Sequence, residues 1–288
     1  MGPRVYPSYQ NPSQLISPTV GPLTPTPTPV PTPTPTPVPG IPIILSGLTL
    51  YVDGQSISYP GTGTTWTNLQ SGGFSVGNVL LQAIPNFNYR PTYNFFSFDG
   101  LVDYAYNPDT PPDDSFTFGG WFRAYRGPVG KCFMGFGEGL AYDFIGTGSY
   151  TGQGIALFKD VNDYLTVQVW NQIDVPPGSG PNILTGATVS STTKLPNNEW
   201  SYIVATYQKN VQVKIYLDGA LIKTGGVPTS GNLISPGSNI GWVVCKGPNI
   251  YPNNKIARMD IGDLEAYNRV LSDAEVLSNY NAQVSKYI

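Results

Sequence analysis

The chain contains no histidine. That one absence removes the Ser-His-Asp and Cys-His nucleophilic engines and the commonest zinc ligand together. Cysteine is nearly missing as well, with only Cys132 and Cys245 among 288 residues. Two cysteines do not make a disulfide framework. They read as buried thiols of a protein made in a reducing cytoplasm, and could pair only if the fold brings their strands together. Charge is scarce: Asp, Glu, Lys and Arg make up 11% of the chain, and the net charge is −3. This leaves no basic footprint for nucleic acid or for an anionic membrane surface. No run of 18 apolar residues occurs, so no stretch reads as a membrane-inserted helix. The opening residues, MGPRVYPSYQNP, lack the apolar core of a secretory signal.

What is abundant is glycine (33), proline (29) and tyrosine (19). Such a mixture predicts many turns and few long polar helices. The prolines concentrate at the front. Residues 1–23 carry Pro3, Pro7, Pro12, Pro18 and Pro22 among Tyr6, Tyr9, Leu15 and Ile16, a density that excludes helix. Residues 24–39, TPTPTPVPTPTPTPVP, place proline at every second position. Each residue before a proline is pushed to extended angles, so the tract reads as a polyproline II rod, roughly 50 Å long for its residues at about 3.1 Å each. The chain therefore divides into an arm (1–23), a Pro-Thr spacer (24–42) and a globular domain (43–288). Tyr6, Tyr9, Leu15 and Ile16 read as anchors that fill pockets on a partner, because proline has already restricted the backbone that must be ordered.

From Ile43 onward the pattern is that of β-strands. Residues 199–223, EWSYIVATYQKNVQVKIYLDGALIK, form the clearest stretch. Val211, Val213, Ile215 and Leu217 alternate with Gln212, Lys214 and Tyr216, which predicts a strand with one buried face. Asp218-Gly219 supplies a two-residue hairpin turn. Residues 43–55 read as one strand ending at Asp53-Gly54. Residues 58–73 read as a loop with Trp66 tucked onto the core, and 93–104 as two strands about an Asp99-Gly100 turn. Further strands are expected at 115–125, 131–137, 154–158 and 163–170, and a Gly/Pro-rich loop at 174–188. Near the end, 256–271 reads as a last strand and 272–281 as a short helix. Ser272 stands as N-cap with Glu275 three residues on, a capping box, and Leu271 and Val276 stand as its hydrophobic staple. Many short strands with turn signals between them make an all-β sandwich or barrel.

Four stretches, in order, resemble the concanavalin A-like lectin/glucanase superfamily in its laminin G-like branch: SFDGLVDY, SFTFGGWFRA, NEWSYIVATY with VKIYLDGALI, and IGDLEAYNRVLSDAEVLSNYNA. The opening LTLYVDGQSISYPGTGTTWTNL resembles the form of this domain found in virion and tail-associated proteins of viruses and phages. The resemblance implies an all-β jelly-roll sandwich of two antiparallel sheets, whose face or rim commonly binds glycan, protein or calcium.

Enzymes of that superfamily commonly carry paired acids in an E-x-D-x-x-E strand, suited to retaining hydrolysis at about 5–5.5 Å separation. The four glutamates here, Glu138, Glu199, Glu265 and Glu275, do not have that spacing. Asp263 and Glu265 share a strand face but read as a solvated one, so the chain reads as a non-enzyme. No cofactor is required; a structural calcium is the one ion the residues could serve, through Asp99, Asp103, Asp260 and Asp263, which lie in segments that could meet at one rim. Glycan binding calls for aromatic platforms, and the tyrosines and tryptophans are too numerous to choose among. The expectation is a virion structural protein, located in the virion. Its arm and spacer (residues 1–40) dock on other virion structural proteins, while its lectin-like sandwich meets protein or host surface glycans. The alternative is an extracellular carbohydrate-binding module with a Pro-Thr linker.

Overall fold

The computed structural model describes residues 43–54, 58–70, 77–82, 86–89, 94–100, 103–109, 114–126, 131–137, 154–173, 183–233, 241–245 and 258–288. The arm and spacer, with Tyr6, Tyr9, Leu15 and Ile16, lie outside the described residues, and so does Glu138.

The described chain opens with β1 (Leu48–Val52), followed by the short β2 (Thr65–Trp66), β3 (Val79–Gln82) and β4 (Asn86–Tyr89). Then come β5 (Asn94–Asp99), β6 (Tyr104–Asn107), β7 (Ser115–Ala124), β8 (Lys131–Gly137) and β9 (Gly154–Lys159). β10 (Tyr164–Ile173) and β11 (Ile183–Lys194) form a long pair. β12 (Trp200–Gln208), β13 (Gln212–Leu217) and β14 (Ala220–Gly226) form a meander. β15 (Trp242–Val244), β16 (Arg258–Tyr267) and helix α1 (Asp273–Tyr287) close the chain.

These strands build two eight-stranded sheets, and every pairing in them is antiparallel. The first runs β14-β13-β12-β7-β16-β5-β4, with β1 also paired to β16. The second runs β11-β10-β9-β8-β15-β6-β3-β2. This is the expected sandwich. Between the sheets lies an apolar core that includes Phe116, Phe118, Phe136, Val167, Ile203, Ile215 and Trp242. The Trp242 ring sits 5.0 Å from Phe118 and meets Phe136 edge-on at 4.9 Å, the geometry that aromatic quadrupoles favour.

The hairpin at the heart of the sequence forms as read. Asp218 and Gly219 both take positive φ, 52° and 78°, the pairing a two-residue hairpin turn needs. Its burial differs from the one-faced expectation. Val213 and Ile215 face the inter-sheet core, but Tyr216 is also buried, on the other side of the strand. Val211 lies in the preceding turn and is exposed. The reason is α1, which covers the outer face of the first sheet and creates a second apolar layer. That layer contains Tyr51, Trp121, Tyr202, Tyr216, Tyr267, Leu271, Val276 and Tyr287. The capping box is present at Ser272 and Glu275, and the helix runs on past 281 to Tyr287. It continues because Tyr280, Val284 and Tyr287 extend the buried stripe begun by Val276 at helical spacing.

A second correction concerns residues 183–188. They belong to β11, which pairs with β10 from Ile173↔Ile183 to Tyr164↔Lys194, and not to a loop. The two cysteines are free and buried. The Cys245 N–H donates to the Phe133 carbonyl at 3.1 Å, which sets Cys245, just past the end of β15, beside β8, the strand that carries Cys132. Their side chains nevertheless part: Cys132 packs with Ala156 and Phe158 on the outward side of the sheet, and Cys245 packs in the inter-sheet core.

Candidate functional site

Two places in the fold gather chemistry-bearing side chains. The first lies beneath α1. A register shift in β16 between Ile261 and Leu264 leaves Met259, Ile261, Leu264 and Ala266 facing the core. The same shift turns Asp263, Glu265 and Tyr267 outward together, under the helix. Gly262 sits at the shift because a side chain there would strike the Tyr287 ring; a Cβ would lie 2.3 Å from its Oη. Tyr287 stacks on Trp121 at 4.5 Å, which fixes the last turn of the helix against the sheet.

Glu265 is 1% exposed. It accepts a hydrogen bond from Tyr202 Oη, and Asn279 Nδ2 donates to both of its oxygens at 3.3 Å. Asn279 Nδ2 also donates to Tyr267 Oη at 2.8 Å. Burial pushes the Glu265 carboxyl up to about 7; the Asp263 charge adds to the rise, and the Tyr202 and Asn279 hydrogen bonds oppose it. Lys286 Nζ stands 3.2 Å from Asp263 and 3.9 Å from Asp53, both buried. Burial alone would lower the Lys286 pKa, but the two carboxylates outweigh it and the net direction is up. The expected solvated face of Asp263 and Glu265 is thus a closed one. A substrate cannot reach these oxygens with α1 in place, so the arrangement serves packing and helix attachment.

The second place is the outward face of the second sheet where β2, β3, β6 and β15 run side by side. Strand alternation puts Ala105 into the core and leaves Tyr104 and Tyr106 outward, each half-buried. Their rings lie 6.4 Å apart at 36°. Opposite them on β3 stand Gln82, in register with Tyr104, and Leu80, in register with Tyr106. Val243 on β15 flanks Tyr106 on the other side. The base of β6 is fixed by two turns. Asn107 Nδ2 donates to the Gly77 and Asn78 carbonyls at 2.6 and 3.2 Å. Asp99 and Asp103 exchange backbone-to-carboxylate hydrogen bonds at 3.2 and 3.4 Å. Two adjacent aromatic rings with an amide beside them can stack on the apolar face of a sugar ring and hydrogen-bond its hydroxyls.

The four acids grouped as calcium ligands are dispersed over other partners. Asp99 and Asp103 pair with each other's backbone as above. Asp260 is held by Arg123, whose Nε donates at 2.8 Å, and by Tyr125 Oη at 2.6 Å. Asp263 faces Lys286. Among the described residues no three His, Cys, Asp or Glu side chains converge on a metal position. The tyrosine pair was not singled out from sequence. The signal was present in Tyr-Ala-Tyr at 104–106, an alternation that puts two rings on one face, but it competes with many other tyrosines.

The architecture defines a class, a lectin-like β-sandwich with a helix-covered back and an aromatic patch on the opposite sheet. The family model described as the concanavalin A-like lectin/glucanases superfamily, laminin G type, matches residues 99–277. The chain belongs to this superfamily. Among solved structures, the binding domain of Paraclostridial mosquitocidal protein 1 is similar, with a TM-score of 0.56 and 12% identity over 82% of this chain and 52% of that one. The receptor binding domain of botulinum neurotoxin C/D mosaic serotype gives 0.52 and 13% over 83% and 52%. Trypanosoma rangeli sialidase in complex with sialic acid gives 0.53 and 16% over 89% and 37%. The match thus spans about half or less of each of those chains, and at such identities it speaks for the fold. No curated protein sequence matches.

Proposed function

We propose that this chain is a glycan-binding β-sandwich carried on a proline-rich tether and displayed on a virion. The observation that carries the binding reading is the Tyr104–Tyr106 pair beside Gln82 on the sheet face turned away from the core. Stacking and amide hydrogen bonds of this kind need no metal and no titrating group. Membership of a lectin-like superfamily supports the reading. So do the two structural neighbours that are a binding domain and a receptor binding domain.

The display reading rests on the sequence of the arm. Tyr6, Tyr9, Leu15 and Ile16 supply apolar anchors at about 1.5–3 kcal/mol for each fully buried residue, and residues 24–42 supply the spacer. The test has two arms. The full chain is applied to a glycan array and the strongest hit is titrated against wild type, Tyr104→Ala and Tyr106→Ala. Each variant should weaken binding roughly ten-fold at an unchanged melting temperature; a chain that binds no glycan, or variants that bind as wild type does, would sink the site. Deleting residues 1–23 should leave the sandwich folded and prevent incorporation into particles. Incorporation at the wild-type level would place the anchor elsewhere.

A further inference from the structure

The root of the arm, where residue 43 enters the sandwich, is held by α1 and by the turn before it. Ile43 is buried in the aromatic layer beneath α1. The Ile44 N–H donates to Asn279 Oδ1 at 2.9 Å, and Asn279 is itself fully buried in mid-helix. Arg269 Nε donates to the Ser46 carbonyl at 2.8 Å. The same guanidinium holds Glu275 through two bonds, at 3.0 and 2.7 Å, and Glu275 closes the capping box of α1. The Asn268 N–H donates to the Gly47 carbonyl at 2.9 Å. Both the first turn and the middle of α1 are thereby tied to residues 44–46.

β1 then continues from this root and is bonded along both edges. One edge pairs with β16, from Leu48↔Tyr267 to Val52↔Leu264. The other is occupied by residues 68–69: Asn68 Nδ2 donates to the Thr49 carbonyl, the Tyr51 N–H to Asn68 Oδ1, and the Leu69 N–H to the Tyr51 carbonyl, at 2.8–2.9 Å.

The register fixes the direction of this strand in the sandwich. Leu48 lies beside Tyr267, which lies beside Thr117, which lies beside Thr206. The root is therefore at the end that carries the β12–β13 turn after Gln208. The β9–β10 turn is at the far end, because the Asp163 carbonyl accepts from the Leu195 N–H and the Ala124 carbonyl, at the end of β7, accepts from the Asn198 N–H.

We propose that residues 43–52, clamped by α1, form a load-bearing root that takes tension from the N-terminal arm along β1 in shear. In an antiparallel ladder the hydrogen bonds run perpendicular to the strands. A pull along β1 strains the bonds on both of its edges at once, whereas a sideways pull opens them one after another. The root suits a domain that binds a fixed surface while its arm is held by a particle. This use rests on the tether reading above, but the test reads the root with neither glycan nor particle present.

The full chain is stretched between its N-terminus and an engineered thiol, placed either at the far end (Asn162→Cys) or at the root's own end (Gln208→Cys). Both sites are exposed, and the native thiols are buried. The far-end pull should rupture at roughly twice the force of the near-end pull or more, since it loads all the ladder bonds together. Asn279→Ala and Arg269→Ala should lower the first force and leave the second. Equal forces in the two directions would overturn the proposal, and that comparison needs neither substitution. Variants that lower the melting temperature without changing the far-end rupture force would overturn it as well.

Discussion

The first sheet is packed on both faces, and the two packings differ in kind. Towards the second sheet it presents mostly apolar side chains, such as Phe116, Phe118, Ile203 and Ile215. Towards α1 it presents aromatic rings mixed with Asp263 and Glu265, met by Asn279 and Lys286 from the helix. The inner layer is non-directional and fills volume. The outer one is directional: each polar group demands a particular partner, so it sets where the helix sits at the expense of burying charge. The same strand, β16, serves both layers through its register shift.

The largest expected effect comes from breaking the inner layer. Phe118→Ala removes a fully buried ring beside Trp242 and should cost about 3–5 kcal/mol in urea denaturation. A loss as small as that of a surface change would show that the inter-sheet core can collapse around the gap.

The outer layer should show itself through pH. Glu265 has a folded pKa of about 7 against an ordinary value of 4.5. The folded protein therefore binds a proton that the unfolded chain does not between those two values, and stability falls as pH rises through that window. The span is at most about 3 kcal/mol. With no histidine in the chain, no unperturbed side chain adds a second titration near neutrality. Melting curves from pH 5 to 8 should fall in wild type and stay flat in Glu265→Gln. A wild-type curve that rises over this range would contradict the buried-acid reading.

The helix cap is smaller. Ser272→Ala should cost about 1 kcal/mol, visible as a loss of hydrogen-exchange protection confined mainly to the first turn of α1. Smallest is the Lys214–Asp273 pair on the rim of the outer layer, 2.7 Å apart, with the Asp273 side chain 56% exposed. Lys214→Ala should change stability by about 0.5 kcal/mol or less, and still less in high salt.

What could be read from the sequence follows the same division. The β12–β13–β14 meander and the cap of α1 were legible because local rules decide them: period-two alternation, an Asp-Gly turn, a Ser-x-x-Glu box. Tyr216 was read as an outward residue because nothing local shows that a helix from the chain's end returns to cover it. Glu265 was read as solvated for the same reason. β11 was partly read as loop because Thr185 to Thr188 contain glycine and small residues whose strand state depends on pairing with β10. The Tyr104–Tyr106 patch depends on which sheet β6 joins, and that is a matter of topology. The resemblance to a known family settled the architecture where local pattern could not.

The two thiols give the protein an internal reporter. Cys132 lies on β8 and Cys245 just past the end of the neighbouring β15, on opposite sides of the sheet, and burial pushes the Cys132 thiol up to about 12, so little reactive thiolate forms at neutral pH. Any reagent that modifies these sulfurs must wait for a local or global opening around them. The rate of labelling therefore times that opening in the unmodified protein, with no dye attached and no residue replaced. Because Cys245 sits in the inter-sheet core and Cys132 on the other side of the sheet, their separate rates tell which side of the second sheet becomes accessible first.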